Sequence, residues 1–267
     1  MNTELFNDIK DAKGQGCLRL VTSEEPRNTF IGGMPKASGN IIWPRRNEMA
    51  LGFIGQLDLG EINTRGDISW LPEKGRLLFF YDLEEWPWGF DPNDKGGWAV
   101  ILDNGEGDII NVEPPKDLNS EFQAPNIKYL KAVTRISLPG PERIDIESLG
   151  FTDQDEEDYY EYLSDSYEGN SHHQISGFPD PVQNDSMEEE CQLVSGGINC
   201  GGSDSVDKAK VKELQEQEND WKLLFQFDSD DDIDAMWGDS GMLYFWVREK
   251  DARSGDFTDV WMILQCC

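Results

Sequence analysis

Residues Trp221–Cys267 read WKLLFQFDSDDDIDAMWGDSGMLYFWVREKDARSGDFTDVWMILQCC. Three apolar, aromatic-rich runs lie inside this stretch: Lys222–Phe227, Met242–Val247 and Val260–Gln265. Acidic turns containing Gly and Asp separate them. Short runs of Phe, Tyr, Trp, Val and Ile bounded by turn residues predict β-strands. These three strands are expected to form the core.

Working outward, the same pattern recurs upstream. FIGQLDL matches LLFQFDS, each with a Gln followed two residues later by Asp. KGRLLFFYD matches SGMLYFWVR, each entering a buried strand after Gly, and GGWAVILDN matches DVWMILQCC, each placing Trp before an aliphatic run. The spacings are 170 for Gln56 to Gln226, 166 for Gly75 to Gly241 and 163 for Trp98 to Trp261. Order is kept, and the drift is what loops of different length produce. The sequence therefore predicts an internally duplicated three-strand unit. The first copy spans about 51–102 and the second about 221–267.

Between the copies the chain turns helical and polar, over about 142–219. Asp153–Ser166 spaces Tyr and Leu along one helical face. Ser186–Ser195 suits a short helix capped by Asp185, and Asp207–Asn219 a solvated one. Upstream, Glu4–Lys13 predicts a helix. Leu18–Thr22, Leu51–Leu59, Arg76–Tyr81, Trp98–Leu102 and Tyr129–Leu138 predict strands. The segment GGMPKASGNIIWP predicts a loop that sets Trp43 beside the core. The expected fold is one α+β domain over residues 1–267, built on a pseudo-symmetric antiparallel β unit with helices inserted between its copies.

Composition restricts function. Asp and Glu number 53 against 23 Lys and Arg, a formal charge of −30. That field repels nucleic acid and anionic membranes, and it speeds association with basic partners. The cysteines Cys17, Cys191, Cys200, Cys266 and Cys267 are odd in number and contain no CxxC, which predicts free thiols in a reducing, cytoplasmic setting. The N-terminus has neither the basic nor the apolar region of a signal peptide, and no apolar run reaches a membrane span.

The ordered set FIGQLDL, LPEKGRLLFFYD, WGFDPNDKGGW, HHQISGFPDPVQND and the whole C-terminal stretch resembles the YwqG-like family, a bacterial domain of unknown function, from about Ile31 to Cys267. The resemblance implies an α+β fold with an internal repeat. It brings no catalytic residues. Some members occur beside polymorphic or secreted toxins, which implies an immunity role for those members.

Candidate chemistry is sparse. Asp228, Asp230, Asp232 and Asp234 sit at positions 1, 3, 5 and 7 of an EF-hand count, with Asp239 at 12. Ile233 stands where that loop needs Gly, and Asp239 where it needs Glu, so a solvated acidic turn is expected and no metal or other cofactor. His172 and His173 are the two imidazoles. His173 is expected to brace its loop rather than catalyse. The Gly-rich GGMP, SGGIN and CGGSDS match no phosphate-binding pattern. Trp86, Trp88, Phe90 and Trp98 crowd one loop, and Trp237 takes a comparable place in the second copy. If both loops share one end of the sheet, they outline an aromatic, acidic cleft.

The expected function is non-enzymatic: an acidic protein that binds a basic protein such as a toxin and occludes its active face. The expected contacts are Asp82, Glu84, Glu85, Trp86, Trp88, Asp230, Asp231, Asp232 and Trp237. The alternative is a small-ligand or metal-binding protein, or an enzyme of unrecognised type, using a cleft between the two β repeats.

Overall fold

A computed structural model describes residues 3–38, 41–63, 68–104, 108–119, 126–145, 149–202, 207–215 and 220–267. Its strands are β1 (Gln15–Thr22), β2 (Phe30–Gly32), β3 (Lys36–Ser38), β4 (Arg45–Arg46), β5 (Met49–Ala50), β6 (Gly52–Asp58), β7 (Arg76–Tyr81), β8 (Trp98–Asp103), β9 (Ile109–Asn111), β10 (Ile127–Ser137), β11 (Gln174–Ile175), β12 (Trp221–Asp228), β13 (Met242–Arg248) and β14 (Trp261–Gln265). Six α-helices are described: α1 (Thr3–Lys13), α2 (Leu59–Ile62), α3 (Asp153–Asp165), α4 (Met187–Ser195), α5 (Lys208–Gln215) and α6 (Glu249–Ser254). The fold is mixed α+β.

Ten strands form one antiparallel sheet in the order β14-β13-β12-β11-β1-β10-β2-β6-β7-β8. Read from either end, the order is a three-strand meander, one very short strand, then one long strand. The long strands β1 and β10 meet in the middle, with Leu20 opposite Ala132 and Thr22 opposite Leu130. Each belongs in sequence with one meander and pairs with the short strand beside the other. Both β6 and β12 carry a register shift, at Phe53/Gly55 and at Leu223/Phe225. A bulge bends and twists the strand that carries it, and here it helps the sheet curl until it is nearly a barrel. At the seam, the Trp98 and Trp261 rings lie 5.1 Å apart, and Trp98 Nε1 donates to the Val260 carbonyl at 2.8 Å.

The aromatic runs fill the space inside. Phe79 of β7 sits 5.1 Å from Phe225 of β12 and 5.1 Å from Phe245 of β13. All three are fully buried. The meanders thus pack against each other through rings. A second cluster, Phe30, Phe53 and Phe80, lies on the other face of the first meander, closed by Trp43. Trp43 is held there by its Nε1 bond to the Leu51 carbonyl, so the loop expected to set it beside the core does so. The third cluster joins α1 to α3 through Phe6, Tyr159 and Tyr162.

Some local expectations change. The helix expected at Ser186–Ser195 is capped by Ser186, not by Asp185. Asp185 is buried against Arg143 instead. The solvated helix expected over Asp207–Asn219 is described as α5, and its end at 216–219 lies outside the described residues. Helix α6, between β13 and β14, was expected as a turn. The loop HHQISGFPDPVQND contains β11.

Candidate functional site

Two buried glutamines hold matching loops. Gln56 Oε1 accepts the Lys36 N–H at 2.9 Å, and its Nε2 donates to the Asn28 carbonyl at 2.8 Å. Gln226 Oε1 accepts the Asp180 N–H at 2.8 Å, and its Nε2 donates to the His172 carbonyl. The loops they pin have two consecutive left-handed residues each, Gly32–Gly33 and Ser176–Gly177. Buried polar side chains of this kind fix a backbone path because leaving either partner unpaired is costly.

Beyond Gln226, β12 runs into the acidic turn. Asp230 starts a single 3-10 turn, Asp231–Ile233, and its Oδ1 accepts the Asp232 N–H. Ser229 Oγ accepts the Trp237 N–H, and Trp237 Nε1 donates to the Asp228 carbonyl. The opposite wall is the segment leading into β11. Ser171 Oγ donates to Asp230 Oδ2 at 2.8 Å, and the His172 N–H donates to Asp228 Oδ2 at 2.8 Å. His173 is fully buried. Its Nδ1 accepts the Asp228 N–H at 3.2 Å, so the proton sits on Nε2, which faces Asp230 Oδ2 at 3.1 Å. His173 is the loop brace expected of it. Lys128, from β10, completes the floor: its Nζ lies 2.7 Å from Asp230 and 2.8 Å from Asp232.

Lys128, Ser171, Ser229 and the four carboxylates of Asp228, Asp230, Asp231 and Asp232 line an open cavity of about 600 Å³, together with Thr22, Asn170, Met236 and Ser240. Burial pushes the Asp230 carboxyl up, but hydrogen bonds from His173, Lys128 and Ser171 outweigh burial and hold it well below the usual carboxylate range. Burial alone would lower the Lys128 ammonium, and the carboxylates of Asp230 and Asp232 raise it instead. Both partners are therefore charged. With Asp228, Asp231 and Asp232 around a single lysine, the cavity carries net negative charge. Among the described residues, no group of three or more His, Cys, Asp or Glu side chains could hold a metal ion.

The expected contact residues divide by burial. Glu84, Glu85, Asp231 and Asp232 are exposed, and Trp88 is 42% exposed. Asp82 is buried: it pairs with Arg46 at 3.2 Å and accepts the Glu84 and Glu85 N–H groups. It braces a turn and presents nothing to a partner. Asp230 is spent on four donors, Lys128, Ser171, His173 and the Asp232 N–H. Trp237, at 3% exposure, packs on Phe227, Tyr81 and Trp86. Trp86 is half-buried, held at φ 50 in a conformation that bulky residues rarely adopt. Its ring lies 6.1 Å from that of Trp237, so the two aromatic loops do share one end of the sheet. They fill that end rather than open a cleft. The cavity lies beside it, on the second meander and the central strands.

Gly89 shows how tightly the first loop is pressed on β14. A Cβ at this position would sit 1.8 Å from the Met262 carbonyl oxygen. The Trp88 carbonyl accepts the Leu264 N–H at 2.9 Å, covering part of the β14 edge. Sequence reasoning missed Lys128 and Ser171 as site residues, and it placed Asp228 in the acidic turn without counting it among the contacts. For Ser171 the signal lies in its position just before the HHQ motif. Lys128 lies 102 residues from Asp230, with no local signal.

A family model described as Domain of unknown function (DUF1963) matches residues 29–266. No curated protein matches the chain. The match brings no enzyme family or assigned activity with it. No helix among the described residues is long and apolar enough to cross a membrane. The matched segment takes in both meanders, both glutamine-pinned loops and every acidic residue of the cavity, and the chain belongs to this family of unknown function.

Proposed function

We propose that this chain is an acidic binding protein that receives a basic side chain of a protein partner in the cavity beside Asp230. The observation that carries the reading is the cavity itself. It is about 600 Å³, open, and lined by Asp228, Asp231 and Asp232 with serine hydroxyls around them. Lys128 already occupies one side of it as an internal cation. Met236, 46% exposed on the rim, and Trp88 across the shared aromatic end offer apolar anchors. The contacts are Glu84, Glu85, Trp88, Asp231 and Asp232, with Asp82, Trp86, Asp230 and Trp237 as their rigid support.

Most concretely, this is an immunity protein of the YwqG-like family, acting in the cytoplasm and covering the basic active face of a toxin. The charge of −30 supports a basic partner over nucleic acid or a membrane. The equal spacing of Gln56 and Gln226 from the bulges of β6 and β12 supports a duplicated origin for the two meanders. The test is a pull-down from the source cell to identify a basic partner protein, followed by co-expression of that protein with this chain. Wild-type protein protects the cell and binds with a salt-sensitive on-rate. The double variant Asp231→Lys, Asp232→Lys keeps its fold and loses protection. Full protection by that variant refutes the reading.

A further inference from the structure

Arg19 is the residue that the fold and the acidic cavity leave unexplained. It lies in β1, opposite Val133 of β10, on the face away from the core residues Leu18 and Leu20. It is 7% exposed, yet neither Nε nor Nη1 has a hydrogen-bond partner. Its third nitrogen, Nη2, donates to Ser166 Oγ at 3.2 Å. The guanidinium lies 3.2 Å over the Tyr167 ring, which covers one face, and the buried Cys17 thiol beside it is a weak acceptor that brings no charge. Among the described residues no carboxylate forms an ion pair with it. Glu168, in the same small cleft, is engaged by Arg135 at 3.3 Å. A guanidinium buried without a counter-charge is strongly disfavoured.

We infer that the cleft between Arg19 and Arg135 binds a small monatomic anion of the chloride class. The cleft is lined by these two guanidinium groups, Val21, Val133 and the loop from Ser166 to Ser171. It has room for about one water-sized particle, which admits a halide once the exposed Arg135 and Glu168 side chains give way, and excludes phosphate. The other polar groups of the loop are committed elsewhere: Ser166 Oγ donates to the Leu163 carbonyl and Asn170 Nδ2 to the Tyr167 carbonyl. The free donors are therefore Arg19 Nε and Nη1, and Arg135, now on Glu168 and the Thr134 carbonyl, adds its charge when its side chain turns inward. The anion stabilises the Tyr167 ring from behind. Tyr167 stacks on His172 at 3.7 Å and 7°, and Asn170 and Ser171 of the same loop line both this cleft and the acidic cavity.

Two measurements on the full chain test this. Thermal unfolding is followed in sodium chloride and in sodium gluconate at equal ionic strength. Chloride raises the midpoint by about 2–4 °C in a saturable way. Arg135→Ala, at a partly exposed position, removes that difference while the protein stays folded. Crystals grown in sodium bromide then show an anomalous peak between Arg19 and Arg135. Equal midpoints in the two salts, or ordinary water density without an anomalous signal, overturn the assignment. Because neither readout involves a protein partner, failure here leaves the proposed function standing, and the reverse also holds.

Discussion

The two ends of the sheet have the same skeleton and opposite polar fillings. On the first side, β6 passes Gln56 and runs directly into α2, whose Leu59 and Ile62 are buried in the core. Glu61 turns back to accept the Asn28 and Thr29 N–H groups, which ties the entry of β2 to α2. On the second side, β12 passes Gln226 and runs into the Asp231–Ile233 turn, which exposes Asp231 and Asp232 and buries Ile233. The corresponding loop carries His172 and His173, and the end stays open as the acidic cavity. The difference teaches that the β framework does not itself make the site. A few residues after each glutamine decide which charged groups an end presents.

The largest effect is expected where the two meanders meet. Phe79→Ala removes the ring that touches both Phe225 and Phe245. It should cost about 3–5 kcal/mol in urea unfolding. A loss near 1 kcal/mol would show that the meanders are stable separately and that the ring contact joins them only loosely.

Next comes the network that only the second side has. Asp230→Asn leaves Lys128 buried without its main counter-charge and should cost about 3 kcal/mol. Asp232, whose side chain is 72% exposed, should cost under about 1 kcal/mol as Asp232→Asn, although it touches the same lysine. Equal losses from the two would mean that Asp230 is no better shielded than its neighbour. The comparison sharpens further at the shared feature. Gln56→Leu and Gln226→Leu should each cost about 1–3 kcal/mol, and by similar amounts, because each glutamine satisfies one N–H and one carbonyl of its loop. A large inequality would break the parallel between the two sides.

Much of the framework was legible because it follows from periodicity and composition. The aromatic runs at Arg76–Tyr81 and Met242–Arg248 are too long and too apolar to be anything but buried strands. The central part was not legible. β2 has three residues and β11 has two, too few for alternation to show. The pairing of β1 with β11 and of β10 with β2 joins segments far apart in sequence. Helix α6, six residues long, carries no face of its own beyond Ala252. At the site, the acidic turn was visible as composition, but its burial was not. Asp230 and Asp231 read alike in the sequence, and only Lys128, Ser171 and His173 separate them. Trp237 was singled out for its type, which suits an interface, and its neighbours Phe227 and Trp86 bury it.

The smallest effect is a difference in pH response between two carboxylates, one on each side. Burial raises the Asp58 carboxyl above its ordinary value, and Glu61 adds to this, while the Arg76 guanidinium at 3.4 Å and the backbone N–H bonds only partly offset it. A carboxyl raised in the folded state makes the fold hold protons more tightly than the unfolded chain does. Its contribution therefore improves as pH falls through the raised value towards the ordinary one. Asp230 is lowered in the folded state, despite burial, by His173, Lys128 and Ser171. Its stabilising contribution is complete above the ordinary carboxylate value and is lost as pH falls below it. Asp58→Asn keeps a competent helix cap for α2 and should remove the gain on mild acidification, while Asp230→Asn should remove the loss at stronger acidity. Unfolding midpoints measured from pH 7 down to about pH 3 check both slopes. If the two variants bend the wild-type profile in the same direction, the two ends do not differ electrostatically, and the asymmetry rests on shape alone.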